Sequence, residues 1–191
     1  MIKYNVNINN IMVVFGGNKD SMIMNPSNGV IRINTTHNSF DYTAIIEFLE
    51  LEFFFEYKNY SHIFTLHDTM EFGNSTDKLI KTANPDMWCT AVWGGQCNLM
   101  LLKTEYIIQS KDLILSWKNC TKGDAIKYEG ELFRLCPENK RTAYPGTYEI
   151  LGTQKPYNGV DRLVEYYTGI DLKKYKANYG QTDSSSYEVK P

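Results

Sequence analysis

The sequence predicts an α/β fold in one domain, and three observations carry that expectation. The run Asn10-Ile-Met-Val-Val-Phe15 is mostly apolar and stops at Gly16-Gly17, the pattern of a buried strand feeding a turn. Tyr42, Ile45, Ile46, Leu49 and Phe53 then fall at i, i+3, i+4, i+7 and i+11, which is one face of a helix. A second apolar run, with Ile63, Phe64 and Leu66, ends abruptly at His67-Asp68-Thr69. Strand, helix and strand in alternation lay helices on a sheet.

The remaining elements follow in order. Residues 29–33 read as a second short strand. Asn38 or Ser39 is placed to cap the helix, and Asp41 sits in its first turn, where a carboxylate suits the helix dipole. Glu47, Glu50 and Glu56 fall largely off the apolar face. Residues 78–86 are polar and partly helical in pattern; residues 88–93 suggest a strand ending at Gly94-Gly95, and residues 98–102 another apolar run. Residues 104–117 look helical, with Tyr106, Ile107, Leu113, Ile114 and Trp117 facing a core. Residues 124–133 are mixed, 137–156 are rich in turn formers, and 160–167 suggest a short helix. Residues 1–180 form the expected domain, and 181–191 a polar tail or the start of a linker.

Composition narrows the function. Apolar residues make up 42% and charged residues 22% of 191, a globular balance able to bury a core. The net charge of −2 gives no basic field, so non-specific nucleic-acid binding is not expected. Cys89, Cys97, Cys120 and Cys136 include no C-x-x-C pair and read as reduced thiols. The greasiest long stretch, residues 44–57, carries four glutamates and cannot span a membrane. Met1-Ile2-Lys3 leads into an Asn-rich polar segment rather than an apolar leader, which predicts a cytoplasmic protein. The sequons at Asn34, Asn59, Asn74 and Asn119 then read as chance in an Asn-rich chain.

Ligands of open α/β sheets sit beyond the carboxyl ends of strands, which singles out Phe15-Gly16-Gly17, His67-Asp68-Thr69 and Gly94-Gly95-Gln96. Asp68 is a hard oxygen donor suited to Mg²⁺ or Mn²⁺, ions that complete their shell with phosphates and water. Gly16-Gly17 permits close backbone approach, yet neither G-x-G-x-x-G nor a P-loop is present. Each site also has a plainer reading: a turn at both glycine pairs, a turn or cap at Asp68, a strand-end side chain at His67.

These segments resemble a family. A strand, small loop and helix followed by a strand ending on an acid looks like the nucleotide-sugar half of a GT-A glycosyltransferase. Where the family has Asp-x-Asp, this chain has Leu66-His67-Asp68, so the first acid is missing. Asn38-Ser-Phe-Asp-Tyr-Thr43, His67-Asp-Thr69 with Phe72-Gly73, and Gly94-Gly-Gln-Cys-Asn98 together resemble small glycosyltransferase domains encoded by large algal (chlorella) viruses. The likeness runs from about Asn10 to Gly180 and rests on the order of the motifs.

The resemblance implies a central mixed, mostly parallel sheet of about six strands flanked by helices. It implies Mn²⁺ or Mg²⁺ held by Asp68, a UDP-sugar donor and a glycan acceptor. His67 then offers a second ligand, a ribose contact or a phosphate hydrogen bond. Phe15, Gly16, Gly17, Thr36, His37, Asn38 and Asp41 would border the nucleotide. Gly95, Gln96 and Asn98 would lie beneath the donor sugar, Asp124 would serve sugar or acceptor chemistry, and Arg162 would meet the departing diphosphate. The expected reaction moves a hexose or deoxyhexose to a glycan hydroxyl with retention of configuration, in the host cytoplasm if the viral likeness holds. Two rivals stay open: a module that binds a nucleotide sugar or glycan without turnover, and a glycoside hydrolase using Asp124 and Glu129 as paired carboxylates.

Overall fold

The computed structural model describes residues 11–24, 30–51, 60–66, 70–73, 84–91, 99–144, 148–154, 162–169 and 171–176. Among them the strands fall into three sheets. The first has the order β1 (Met12–Phe15), β3 (Ile31–Asn34), β2 (Met22–Met24). The second is β4 (His62–Thr65), β7 (Met100–Lys103), β6 (Cys89–Ala91), β8 (Arg141–Ala143). The third is β5 (Met70–Phe72), β11 (Leu172–Lys176), β10 (Arg162–Tyr167), β9 (Tyr148–Gln154). The α/β class is as expected, but the described strands do not make one mostly parallel sheet of about six. Only β1 with β3 and β6 with β8 run parallel; the other described pairings are antiparallel.

Among the described residues five short α-helices lie between these strands: α1 (Thr43–Glu50), α2 (Thr104–Gln109), α3 (Lys111–Ser116), α4 (Lys122–Tyr128) and α5 (Glu131–Leu135). A 3-10 turn, Phe40–Tyr42, leads straight into α1. Tyr42, Ile45, Ile46 and Leu49 are buried as their spacing predicts, and Phe48 is buried as well. Glu47 departs from expectation: it is only 7% exposed, because His37 supplies a partner inside the protein.

One core joins the first two sheets to the helices. Ile33 from β3, Ile45, Ile46 and Leu49 from α1, Met100 and Leu102 from β7, and Ile107, Ile114 and Leu132 from the later helices form one contiguous cluster. Tyr42, Trp117 and Tyr128 close it as an aromatic trio, with Trp117 stacked on Tyr128 at 5.3 Å and tilted against Tyr42 at 4.5 Å. A smaller cluster of Met70, Leu99, Tyr167 and Leu172 ties the third sheet to Phe64 of β4. Among the described residues Cys89 and Cys136 are buried and, like Cys120, unbridged, while Cys97 lies outside them; burial pushes the Cys89 thiol up.

The C-terminal half corrects two readings. The short helix expected over residues 160–167 is not formed by the residues described there; Arg162–Tyr167 is the central strand β10, hydrogen-bonded on both sides. A six-residue apolar window cannot separate the two states, and here Val164, Tyr166 and Tyr167 favour the strand. Tyr166, Tyr167 and Tyr175 accordingly lie on a sheet, Tyr166 Oη donating to Asp171 at 3.0 Å. The turn-rich segment 137–156 contains β8 and β9, because its turn formers Pro137, Pro145, Gly146 and Pro156 bracket those strands. Gly152, inside β9, has φ +77° and sits where the pairing with β10 shifts register, so a bulge absorbs it.

Leu102 has no solvent exposure, whereas Leu151 is 40% exposed on β9. Leu102→Ala should lower the unfolding free energy by roughly 2–5 kcal/mol, and Leu151→Ala should change it by about 0.5 kcal/mol or less, both read from urea midpoints.

Candidate functional site

The first sequence-predicted loop and the segment after β3 meet at one corner. The chain leaves β1 at Phe15, whose carbonyl accepts the Thr35 N–H at 2.9 Å and the Asn18 Nδ2–H at 2.6 Å. Gly17 N–H donates to the His37 carbonyl at 3.0 Å, and Asn18 N–H to the Thr35 carbonyl at 2.9 Å. The two glycines are needed for different reasons. A Cβ on Gly16 would stand 3.0 Å from the His37 carbonyl oxygen and 3.3 Å from Thr43 Cγ2. Gly17 has φ +76°, the left-handed region that only glycine enters freely.

His37 anchors the corner from beneath. It is buried, with Nδ1 at 2.9 Å from Ser39 Oγ and Nε2 at 2.9 Å from Glu47 Oε1. Ser39 is fully buried; its N–H donates to Thr43 Oγ1 at 2.9 Å, and its Oγ accepts the Asn119 N–H at 2.9 Å. Serine, histidine and glutamate in sequence look like a nucleophilic triad, but a Ser39 hydroxyl without solvent access has no substrate to attack. The constellation is a tie between the loop and the helices. Glu50, one turn along α1 from Glu47, pairs with Lys118, whose Nζ lies 2.6 and 2.8 Å from the two carboxylate oxygens. Single atoms of His37, Glu47 and Glu50 lie within 4.8 Å of one another, a set able to hold a metal ion.

Above this anchor the surface carries the other predicted residues. Thr36 and Asn38 are exposed, Asp41 is half-buried, and Phe15 and Phe40 are 48% and 40% exposed. Asn38 Oδ1 accepts the Phe40 N–H at 3.2 Å, and Phe40 holds φ +51°. Asn119, across the corner, holds φ +61°. Left-handed backbone at a phenylalanine costs of the order of 1–3 kcal/mol and persists only when neighbours enforce it.

Asp124 reaches the same corner. Asp124 and Asp41 both raise the Cys120 thiol, after the larger effect of burial, and the Cys120 Sγ–H points at the Ser39 carbonyl at 3.9 Å. Asp124 is, however, a first-turn residue of α4. Its N–H donates to Thr121 Oγ1 at 3.2 Å, its Oδ2 accepts the Thr121 hydroxyl at 2.7 Å, and its Oδ1 accepts from Lys127 at 3.2 Å. The Thr121 and Lys127 bonds hold its carboxyl below the usual range. Glu129 caps the other end of that helix, about 7.5 Å along the axis from Asp124 and roughly 140° around it, so the two acids share no face. Arg162 stands on β10 in the third sheet, opposite Gln154.

The structure therefore gathers Phe15, Gly16, Gly17, Thr36, His37, Asn38, Asp41 and Asp124, and sets Arg162 on another sheet. His67, Asp68, Gly95, Gln96 and Asn98 lie outside the described residues. Leu66, just before His67, is 42% exposed at the end of β4. Sequence reasoning did not single out Ser39, Glu47, Glu50, Lys118 or Asn119 for the site. Glu47 and Glu50 at i and i+3 were the available signal, because two acids one turn apart share a helix face. No protein-family model, no curated protein and no solved structure matches this chain.

His37→Ala would leave Glu47 buried without its partner and should destabilise by roughly 3–5 kcal/mol in urea unfolding, with Glu47→Gln costing clearly less because the amide oxygen still accepts a hydrogen bond. Asp124 has a depressed pKa in the folded state, so its stabilisation is present above the unfolded carboxyl pKa of about 3.9 and is lost as pH falls through the folded value. Asp124→Asn should accordingly show a smaller drop in urea midpoint between pH 6 and pH 3 than the unaltered protein.

Proposed function

We propose that this chain is a metal-dependent glycosyltransferase of the GT-A kind, which moves a hexose or deoxyhexose from a UDP-sugar to a glycan hydroxyl with retention of configuration. The observation that carries the reading is the corner where Gly16-Gly17, after β1, packs on His37 and Asn38, after β3. Two parallel neighbouring strands ending side by side, with backbone exposed by glycines, are what a nucleotide needs for close approach. Phe15 and Phe40 offer exposed rings for a base to stack on, and Thr36, Asn38 and Asp41 offer polar groups for a ribose.

The donor's divalent cation falls to Asp68, with His67 beside it, immediately beyond the end of β4. One carboxylate and one imidazole fit an ion that keeps most of its shell for phosphate and water. Such an ion, once bound, would offset charge developing on the leaving diphosphate. The chain's own contribution is placement: the hydrogen bonds from Gly17, Asn18 and Ser39 fix the loop before any ligand arrives, which lowers the cost of ordering it on binding.

One observation favours a second reading, a module that binds a nucleotide sugar without turnover. Both Asp124 oxygens are already engaged by Thr121 and Lys127, leaving this acid poorly placed as a base.

Thermal unfolding with UDP and separately with GDP, each with and without Mn²⁺, tests the proposal. UDP with Mn²⁺ should raise the midpoint, by the equivalent of about 2.7 kcal/mol at 100 times Kd, and Asp68→Ala should abolish the rise. Absence of any nucleotide shift would overturn both readings. A shift without release of sugar from UDP-sugars would favour the binding module.

A further inference from the structure

We propose that His37, Glu47 and Glu50 form a divalent transition-metal site, separate from the donor-site carboxylate Asp68, which Lys118 fills as a tethered cation when no metal is bound. The donor set is one imidazole and two carboxylates, a combination suited to Zn²⁺ and neighbouring first-row ions with a position left for water. All three donor atoms lie within 4.8 Å of one another. Ligands 2.0–2.2 Å from a tetrahedral ion stand roughly 3.4 Å apart, so His37 and Glu47, at 2.9 Å, need only part slightly. Glu50 closes the remaining gap by side-chain rotation.

The surroundings are those of a supported ligand sphere. Ser39 Oγ meets His37 Nδ1 at 2.9 Å and is itself fixed by the Asn119 N–H, which turns Nε2 towards the two acids. Holding the far ring nitrogen in this way sets the orientation and tautomer of a metal-bound histidine. Glu47 comes from the buried side of α1, while the Glu50 side chain is 33% exposed and opens an entry path from solvent. Lys118 sits at that opening with its ammonium on both Glu50 oxygens, where a cation belongs. A divalent ion matches the two formal carboxylate charges by itself and frees Lys118 to return to water, its side chain being 37% exposed already.

The consequence is structural. His37 also accepts the Gly17 N–H through its carbonyl, so an ion on its ring would rivet the β1 loop, α1 and the turn after α3 into one unit. The inference goes beyond the donor-site reading and does not depend on it.

The test is Co²⁺ titration of the Asp68→Ala protein without nucleotide, followed by visible absorption, with Zn²⁺ as competitor. The expected result is a one-to-one complex displaced by Zn²⁺, bound at least tenfold tighter in Lys118→Met and at least tenfold weaker in Glu50→Gln. Both altered side chains are partly exposed, and circular dichroism confirms that the variants fold. No one-to-one complex in either the parent or Lys118→Met overturns the proposal. So does a complex indifferent to Glu50→Gln, or one carrying a thiolate charge-transfer band, which would place the ion on a cysteine.

Discussion

The buried contact between His37 and Glu47 fixes how the N-terminal third of the chain is assembled. Its two partners are ten residues apart, one in the loop after β3 and the other on α1, and neither is exposed. A buried carboxylate is stable only with a hydrogen-bonded partner, and a buried imidazole has few places to send two ring nitrogens. Glu47 and Ser39 take one each, and Ser39 passes the constraint on to Asn119. The route of the chain from β3 into α1, and the docking of the turn after α3 against it, thus follow from one ring.

The same tie sets what the surface above can do. With His37 turned inward, its carbonyl faces Gly17 and the side chains of Thr36 and Asn38 face outward. Phe40 then has to turn through a left-handed conformation before the chain enters α1. Strain of this kind is tolerated where packing on both sides over-determines the backbone, and here Asn38, Ser39 and Thr43 all hold it. The corner is therefore held in place by its own hydrogen bonds, which lowers the ordering cost for whatever binds there.

Charge is distributed with the same economy. Asp124 lies close enough to the corner to influence Cys120, yet its N–H is capped by Thr121 and its carboxylate is held by the Thr121 hydroxyl and Lys127. Glu50 is engaged by Lys118. Whatever chemistry the protein performs has to work with these commitments, which is why the loop after β1 is a stronger feature of the described residues than any catalytic acid.

Local pattern by itself determined a good part of this protein. It placed β1, β3, β4, β6 and α1, from apolar runs, helical period and flanking Gly or Asp that neighbouring residues express within one window, and it marked residues 98–102 as apolar without assigning them to the strand β7. It placed the helical stretch that became α2 and α3 and singled out Gly16-Gly17; only the family resemblance grouped that pair with Thr36, Asn38 and Asp41. Tertiary structure decided the rest. Whether residues 162–167 extend or coil depended on β9 and β11 being there to pair with them. Whether the strands made one sheet or three depended on antiparallel partners far along the chain, such as β7 beside β4. Whether Glu47 faced water or the core depended on His37 and Ser39, since a glutamate pattern records polarity but not the partner that makes burial affordable. Hydrophobic period is a property of neighbours in sequence; hydrogen-bond satisfaction is a property of neighbours in space.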